Sequence, residues 1–372
     1  MAFIGKTPTP VPIGTNDLAD GIVSSAKIAD GTITSADTDG TLGLPPFKNI
    51  IINGDMSIAQ RGTSSTGVTS GGYYTCDRWF IENTTMGTFT ISQSTDVPSG
   101  QGFAKSLKFD CTTADASPAS GDTIGLRQKF EGQNLQYLKF ATSSAESLTL
   151  SFWIKSNKIG TYNVALFGQD SASTAQYFTK AYTISSADTW EKKTITYSGN
   201  TANGFDNDNA RSLDLVFNFG TGSSNTGGTL QTVWSNYGTS ADYYATQGVN
   251  LADNTANELY ITGLQLEVGS AASDFEFLPH DVNLARCQRY FEKTLEKFLF
   301  TGSGNAADRA ITLNYTVQKR ATPTVTFSDI TTDGGGTLQV QTFSNAKHLC
   351  VEMTGGSGGR QFFANYKSDA EL

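Results

Sequence analysis

Apolar and polar residues alternate along much of the chain between residues 47 and 280, which is the pattern of strands with one buried face. In residues 148–155, four apolar side chains from Leu148 to Ile154 fall on one side, while Trp153 falls on the other side among Thr, Ser and Lys. Clusters of Gly, Asn and Ser separate such segments. About eight short strands of this kind predict an all-β domain, a jelly-roll β-sandwich over residues 47–280. Its further strands are predicted at 89–93, 106–110, 162–167, 193–197, 213–219 and 259–267.

The alternation stops at residue 281. Asp281 can cap a helix, and apolar residues then recur at steps of three and four, which predicts a linking helix over residues 281–300. The apolar stripe can dock on the chain's own sheet or form a seam between equivalent chains, and the sequence leaves both open. Its members are Leu284, Cys287, Phe291, Leu295 and Phe298.

A β pattern returns after the helix, with Gly-rich turns between the strands. This predicts a small C-terminal β tip domain over residues 301–372. Its strands are predicted at 310–317, 324–327, 337–342, 349–353 and 361–366.

Residues 1–46 have a different pattern, in which the decapeptide LADGIVSSAK is followed by the similar IADGTITSAD. A third pass slips by one residue and stops at Pro45 and Pro46. A short repeat cannot bury an apolar face alone, and two copies are too few for a solenoid, so the repeat needs other chains. We therefore expect a short stem of intertwined chains, and an oligomeric, fibre-like protein.

Composition narrows the class of protein. Charged residues make up 16% of the chain, below the roughly 25% usual in soluble domains, and Gly is abundant with 38 residues. The net charge of -9, without a cluster of Lys or Arg, excludes a typical nucleic-acid binder. No apolar run approaches the roughly 18 residues that span a bilayer, so no membrane insertion is expected. The N-terminus lacks the apolar segment of a secretory signal.

The four cysteines are widely spaced, at positions 76, 111, 287 and 350, and are expected to be reduced thiols rather than disulfides or zinc ligands. No phosphate-binding or nucleotide-binding motif is present, and no cofactor is expected.

Several stretches together resemble bacteriophage tail-fibre or other virion fibre proteins that carry a jelly roll of the carbohydrate-binding-module type. The resemblance spans about residues 48–293 and is most specific in its last stretch. The stretches are NGDMSIAQRG (53–62), CDRW (76–79), GLRQKFEGQNLQYLK (125–139), SLTLSFWIKSN (147–157), SSADTWEKKTITYSG (185–199) and LYITGLQLEVGSAASDFEFLPHDVNLARCQRYFEK (259–293).

This resemblance implies a homotrimer in the virion, attached to other virion proteins through residues 1–46 and displaying its sandwich outward to host surface carbohydrate. It does not identify a ligand site. Sugar-binding jelly rolls often carry adjacent carboxylates for a structural calcium, but Thr262 and Gly263 stand at the matching positions here. No metal site is therefore expected.

Carbohydrate contact requires aromatic faces beside polar hydrogen-bonding groups, and five residues are candidates. Trp153 can be a sugar platform, or it can be covered by a loop or a neighbouring subunit. The long polar loop 220–248 has the composition of adaptable recognition loops. Within it we expect Tyr243 and Tyr244 to contact ligand and Trp234 to anchor the loop, and Tyr237 is a further candidate. Trp79 and Trp190 are expected in the core.

Catalysis is not expected. The two histidines, His280 and His348, lie near no nucleophile motif, and both are expected to be structural. Two pairs of acids, Asp206 with Asp208 and Asp274 with Glu276, keep a polysaccharide depolymerase open as an alternative, because glycosidases use two carboxylates. A second alternative is a capsid or neck decoration fibre without a receptor.

Overall fold

The computed structural model describes residues 47–170, 174–245, 247–294, 298–302, 309–332, 337–341, 344–354 and 360–372. The chain divides into two units, Met1–Pro45 and Pro46–Leu372. The N-terminal stem predicted for residues 1–46 lies outside the described residues, so its place in a trimer and in a particle stays a prediction.

The larger part of the second unit is an antiparallel sheet system with the strand order β10-β7-β6-β9-β4-β2-β3-β11-β5-β8, to which β1 adds by pairing with β2. Its strands are β1 Ser64–Tyr73, β2 Phe80–Ser94, β3 Ser106–Thr113, β4 Thr123–Glu131, β5 Leu148–Ser156, β6 Gly160–Gly168, β7 Gln176–Ile184, β8 Glu191–Tyr197, β9 Arg211–Thr221, β10 Ser235–Asn236 and β11 Glu258–Val268. Every predicted sandwich strand overlaps one of these, and the all-β jelly-roll fold is confirmed.

Strand β2 joins the two layers of the sandwich. Residues 80–83 pair with β4 in one layer, whereas residues 88–94 pair with β3 in the other. Between the two halves the backbone takes positive φ at Thr85 and Gly87. A side chain at Gly87 would place its Cβ 2.8 Å from the Thr113 carbonyl oxygen, so both the turn and the close approach require glycine.

The core lies between the layers and is built by the predicted alternation. The inward side chains of β5 from Leu148 to Ile154 are at most 1% exposed. Phe152 meets Phe217 of the opposite layer edge-to-face, with 5.0 Å between ring centroids. Such aromatic pairs contribute about 0.5–1.5 kcal/mol beyond the area they bury. Trp79 is 1% exposed and belongs to this core, as predicted.

The linking helix is shorter than predicted. Helix α2 covers His280–Gln288 after the four-residue α1, Ser240–Tyr243, and its cap position is Pro279 rather than Asp281. At residues 291–293 the prediction is wrong, because β12 Phe291–Lys293 pairs with residues 367–369 at the end of the chain. The backbone groups of residues 291–293 form hydrogen bonds with this distant strand. The spacing of apolar residues within 281–300 could not reveal that pairing.

The apolar side of α2 docks on the chain's own sandwich. Cys287 and Leu284 pack with Ile52, Ile58 and Tyr290. Of the two arrangements that the sequence left open, the described part of the helix adopts the intramolecular one.

The remaining strands form two small sheets, β12-β18-β13 with β15 added to β18, and β14-β17-β16. They overlap all five predicted C-terminal strands. The strands are β13 Phe298–Gly302, β14 Arg309–Asn314, β15 Thr324–Thr332, β16 Thr337–Val340, β17 His348–Thr354 and β18 Arg360–Asp369.

These small sheets belong to the same compact unit as the sandwich. Glu371, one residue before the C-terminus, forms ion pairs with Arg78 and Arg61 of the sandwich, and Arg78 is only 1% exposed. Arg320 donates from Nη1 to the Asn209 carbonyl at 2.8 Å. The predicted tip is therefore a second set of sheets docked on the sandwich through buried charges.

Two of the sequence stretches named above, NGDMSIAQRG (53–62) and CDRW (76–79), form hydrogen bonds with each other, and the first also bonds to helix α2. The Asn53 side-chain amide donates to the carbonyls of Ile58 and Asp77 at 2.9 and 3.0 Å and accepts from the Ile58 amide at 2.9 Å. The Asn283 side chain of α2 donates to Asp55 at 3.1 Å. Hence NGDMSIAQRG and CDRW hold the helix and the sandwich together rather than forming a ligand site.

Candidate functional site

An open row of aromatic and cationic side chains crosses the outer face of the layer β3-β11-β5-β8. Tyr260 of β11 is opposite Lys155 of β5 on one side and Lys108 of β3 on the other. Trp190 immediately precedes β8, whose first residue pairs with Ile154, so it extends the row beyond Lys155. We call Trp153, Lys155, Trp190, Tyr260 and Lys108 the aromatic face.

Lys155, Trp190 and Tyr260 of this row contact one another directly. The Lys155 Nζ lies 4.4 Å from the ring centroid of Tyr260 and 5.8 Å from that of Trp190. The two rings are 6.4 Å apart at an interplanar angle of 64°. Each of these three side chains is half-buried. The lysine therefore spaces two aromatic rings on a surface that keeps part of each ring open to solvent.

Two carboxylates fix the row from its edges. Asp96, from the β2–β3 connection, pairs with Lys155 and accepts from the Trp190 Nε1 at 3.0 Å. Glu258 accepts from the Tyr260 hydroxyl at 2.7 Å and from the Lys108 Nζ at 2.6 Å. Such bonds preorganise the rings, because each polar tip has a fixed partner.

Electrostatics keep both edge carboxylates ionised. Burial by itself would raise the pKa of Asp96, but hydrogen bonds from Lys155 and Trp190 outweigh it and lower that pKa. The pKa of Glu258 is likewise lowered, since hydrogen bonds from Lys108 and Tyr260 outweigh burial. The face thus presents fixed charges and aromatic rings together.

Trp153, the sandwich candidate from the sequence, lies on this same face. It is half-buried, and its neighbours across the sheet are Thr262 of β11 and Lys192 of β8. It shares the face with Lys155, two positions along β5. The structure thus brings one predicted site residue beside two aromatic residues that were not predicted as site residues.

Trp190 and Tyr260 are the residues that sequence reasoning missed. Trp190 was expected in the core, but it is half-buried on the outer face with its indole bonded to Asp96, so that expectation is wrong. Tyr260 had a usable signal. It alternates with the buried Leu259 and Ile261 of β11, which places it outward.

Three aromatic candidates of loop 220–248, Tyr237, Tyr243 and Tyr244, lie together on the outer face of the other layer, whereas Trp234 packs against the core between the layers. Tyr243 and Tyr244 are 5% and 8% exposed and pack with Tyr177, Ala165 and Val216 of the sheet. Their predicted role as ligand contacts is contradicted by this burial. The short helix α1, capped by the Thr239 side chain, turns the two rings towards the sheet.

Trp234 anchors its loop, as expected. Its Nε1 donates to the Ser198 carbonyl at 2.8 Å, and its ring packs edge-to-face on Phe140 and Phe178. Tyr237 keeps 41% of its surface exposed while its ring meets Phe167 edge-to-face. Among the described rings of this loop, Tyr237 is exposed and Trp234 is half-buried.

The two acid pairs that the depolymerase alternative requires lie outside the aromatic face. Glu276 accepts from the backbone amides of Lys48 and Asn49, at 3.3 and 2.9 Å, and so has a structural role. Asp206 is fully exposed, and the charge of neighbouring Asp170 raises its pKa. A glycosidase needs two carboxylates facing each other across a bound sugar, and neither pair is arranged around the aromatic face.

Other chemistry has little support in the described residues. Within these ranges, no three His, Cys, Asp or Glu side chains are grouped as metal ligands would be. At the position compared with calcium-binding jelly rolls, the Thr262 hydroxyl donates to the Lys105 carbonyl at 2.7 Å. In the same part of the chain, all helices are too short or too polar to cross a bilayer.

Comparison with known proteins gives likenesses of fold at low identity. No protein-family model matches the chain, and no curated protein matches it in sequence. The enzymatically active domain of tailspike protein 4 from bacteriophage CBA120 is 12% identical, with a TM-score of 0.31, over 60% of this chain but 22% of its own. A putative sugar binding protein from Bacteroides thetaiotaomicron is 15% identical, with a TM-score of 0.34, over 59% of this chain and all of its own.

A third solved structure is the family 11 carbohydrate-binding module from Clostridium thermocellum, in complex with a mixed-linked tetrasaccharide. It is 10% identical, with a TM-score of 0.27, over 57% of this chain and 98% of its own. The chain thus spans about a fifth of the tailspike domain and nearly the whole of the other two proteins.

Proposed function

We propose that this chain is a virion fibre protein of a bacteriophage that binds carbohydrate on the host surface through its jelly roll, without cleaving it. The aromatic face is the observation that carries the proposal. Trp153, Trp190 and Tyr260 offer ring surface for sugar C–H groups, and Lys108 and Lys155 sit between or beside them as donors for sugar oxygens.

The resemblance to fibre proteins and the N-terminal repeat support the remainder of the proposal. In it, three chains intertwine over residues 1–46, and this segment attaches the trimer to other virion proteins. Three aromatic faces on one fibre then engage the same surface. Weak single contacts add through effective concentration, so a shallow open site suffices for firm attachment.

Binding to a panel of immobilised bacterial surface polysaccharides tests the proposed ligand class. The full chain is expected to bind at least one of them, and Trp190→Ala with Tyr260→Ala should weaken that binding at least about tenfold. The matched control is Phe277→Ala, which removes a ring that is 50% exposed and is not a member of the aromatic face. Equal loss in both proteins would contradict a role of the aromatic face.

Three further measurements separate the alternatives. A fibre that binds no polysaccharide but still assembles into particles would be a capsid or neck decoration. Release of reducing ends from a bound polysaccharide would identify a depolymerase and refute the absence of cleavage. Sedimentation of the full chain is expected to give three times the mass of one chain, and a folded monomer would contradict the fibre architecture.

A further inference from the structure

A cleft of about 430 Å³ lies on the sandwich near its junction with α2. Two rings at its rim are exposed, Phe47 at 52% and Tyr137 at 42%. The 3₁₀ turns Gly132–Asn134 and Gln136–Leu138 form one wall and α2 contributes the other. This volume falls in the range of small-molecule sites, roughly 300–1,000 Å³.

The charged lining of the cleft consists of two arginines and one glutamate, which leaves one positive charge uncompensated. Arg289 neutralises Glu131 through two hydrogen bonds of 2.9 and 2.6 Å. Gln133 donates to the same carboxylate at 2.6 Å. Glu131 is fully buried, and the charge of Arg289 balances its own. The positive charge that remains is that of Arg286.

Arg286 has few acceptors for its five N–H donors. Its Nη2 donates to the Asn49 carbonyl at 3.3 Å, and its buried Nη1 has no acceptor among the described residues. No described carboxylate lies within ion-pairing distance of it. The field of Glu276 reaches it, but that carboxylate is engaged by backbone amides. A half-buried guanidinium without an acidic partner is costly, in a chain whose net charge is -9.

We propose that this cleft binds a sugar that carries a carboxylate, as a hexuronic-acid unit does. Arg286 pairs with the carboxylate, because a guanidinium offers two parallel donors to it, and the exposed ring of Tyr137 stacks on the sugar. The Asn134 side chain, at the wall of the cleft, is placed for the sugar hydroxyls. This site is separate from the aromatic face, and its occupation does not depend on the proposed function.

Calorimetric titration of the full chain with sodium glucuronate tests the proposal, with glucose and sodium acetate as parallel probes. We expect saturable binding of glucuronate that is at least about tenfold tighter than that of either probe. Arg286→Gln keeps a donor for the Asn49 carbonyl and should weaken glucuronate binding at least about tenfold. Tyr137→Ala changes a ring at the rim and should weaken it too, by a smaller factor.

Two variants serve as controls. Lys347→Gln removes one positive charge from an exposed position of the small sheets and should leave the titration unchanged. Trp190→Ala should also leave it unchanged, which separates this cleft from the aromatic face. Thermal unfolding of each variant checks that the fold is retained.

The proposal is overturned if glucuronate shows no saturable binding, or if glucose or acetate binds as tightly. It is also overturned if folded Arg286→Gln and Tyr137→Ala both bind glucuronate as the unaltered chain does. An equal loss in Lys347→Gln would reduce the effect to general charge, and that too would overturn it.

Discussion

The buried ion pair between Arg78 and Glu371 is expected to stabilise the contact between the small sheets and the sandwich. Arg78 is 1% exposed and its guanidinium stacks on Tyr290 at 3.5 Å from the ring centroid. Its carboxylate partner is Glu371, whose side chain is 5% exposed. Arg61 reaches the same carboxylate at 3.4 Å. Replacing Glu371 therefore leaves a buried cation that lacks its main counter-charge.

Breaking a buried pair by removing one partner costs about 3–5 kcal/mol. Glu371→Gln keeps an oxygen acceptor near Arg78, so we expect the lower end, about 3 kcal/mol. That is a change of about 150-fold in the folding equilibrium. Urea unfolding, followed by tryptophan fluorescence, measures this loss.

The chain offers a matched control two residues away. Asp369 pairs with Arg61 at 3.2 Å, but its side chain is 44% exposed. Exposed pairs contribute about 0–1 kcal/mol, so Asp369→Asn should cost no more than that. Equal costs for the two variants, or a cost below about 1 kcal/mol for Glu371→Gln, would refute burial as the source of the effect.

Further predictions concern four single residues, Asp77, Tyr243, Tyr237 and Gly263. Burial raises the pKa of Asp77 to about 6, so the folded protein binds this proton more tightly than the unfolded chain. The free energy of unfolding should therefore rise by up to about 3 kcal/mol as the pH falls from about 7 to about 4. Urea unfolding measures this rise, with Asp77→Asn as the reference that lacks it. Tyr243→Ala should cost about 3–5 kcal/mol in the same assay, whereas Tyr243→Phe should cost almost nothing, because the buried hydroxyl has no partner among the described residues. Tyr237→Ala, at an exposed ring, should cost less than about 1 kcal/mol. Gly263→Ala should lower the melting temperature, because φ is +63° there and a Cβ would lie 2.5 Å from the Phe103 ring.

The alternation of apolar and polar residues predicted most of the strands. In β5 the apolar residues at 148, 150, 152 and 154 are buried in the core, and the same rule places Trp153 and Tyr260 outward, where the aromatic face lies. What alternation cannot supply is the pairing of strands that are distant in sequence. Trp190 joins the face because β8 pairs with β5, and that register is visible only in the folded chain.

The errors have two physical sources. The apolar spacing at 291, 295 and 298 fits a helix, yet β12 and β13 exist because β18 pairs with both from about 70 residues away. In the loop, Tyr on a Gly, Ser and Asn background matches the composition of a recognition loop. Tyr177 and Val216 form an apolar surface on the sheet below the loop. Tyr243 and Tyr244 are buried against this surface, because burial removes their apolar area from water.

The four tryptophans of the chain provide the most direct test of binding through the aromatic face. Their oxidation can be followed residue by residue, with and without the polysaccharide that the full chain binds most tightly. Trp79 is buried and should stay unreactive, and Trp234 should react alike in both samples. The account predicts that the polysaccharide protects Trp153 and Trp190. Protection of Trp234 alone, or no protection of the two tryptophans of the aromatic face, would contradict it.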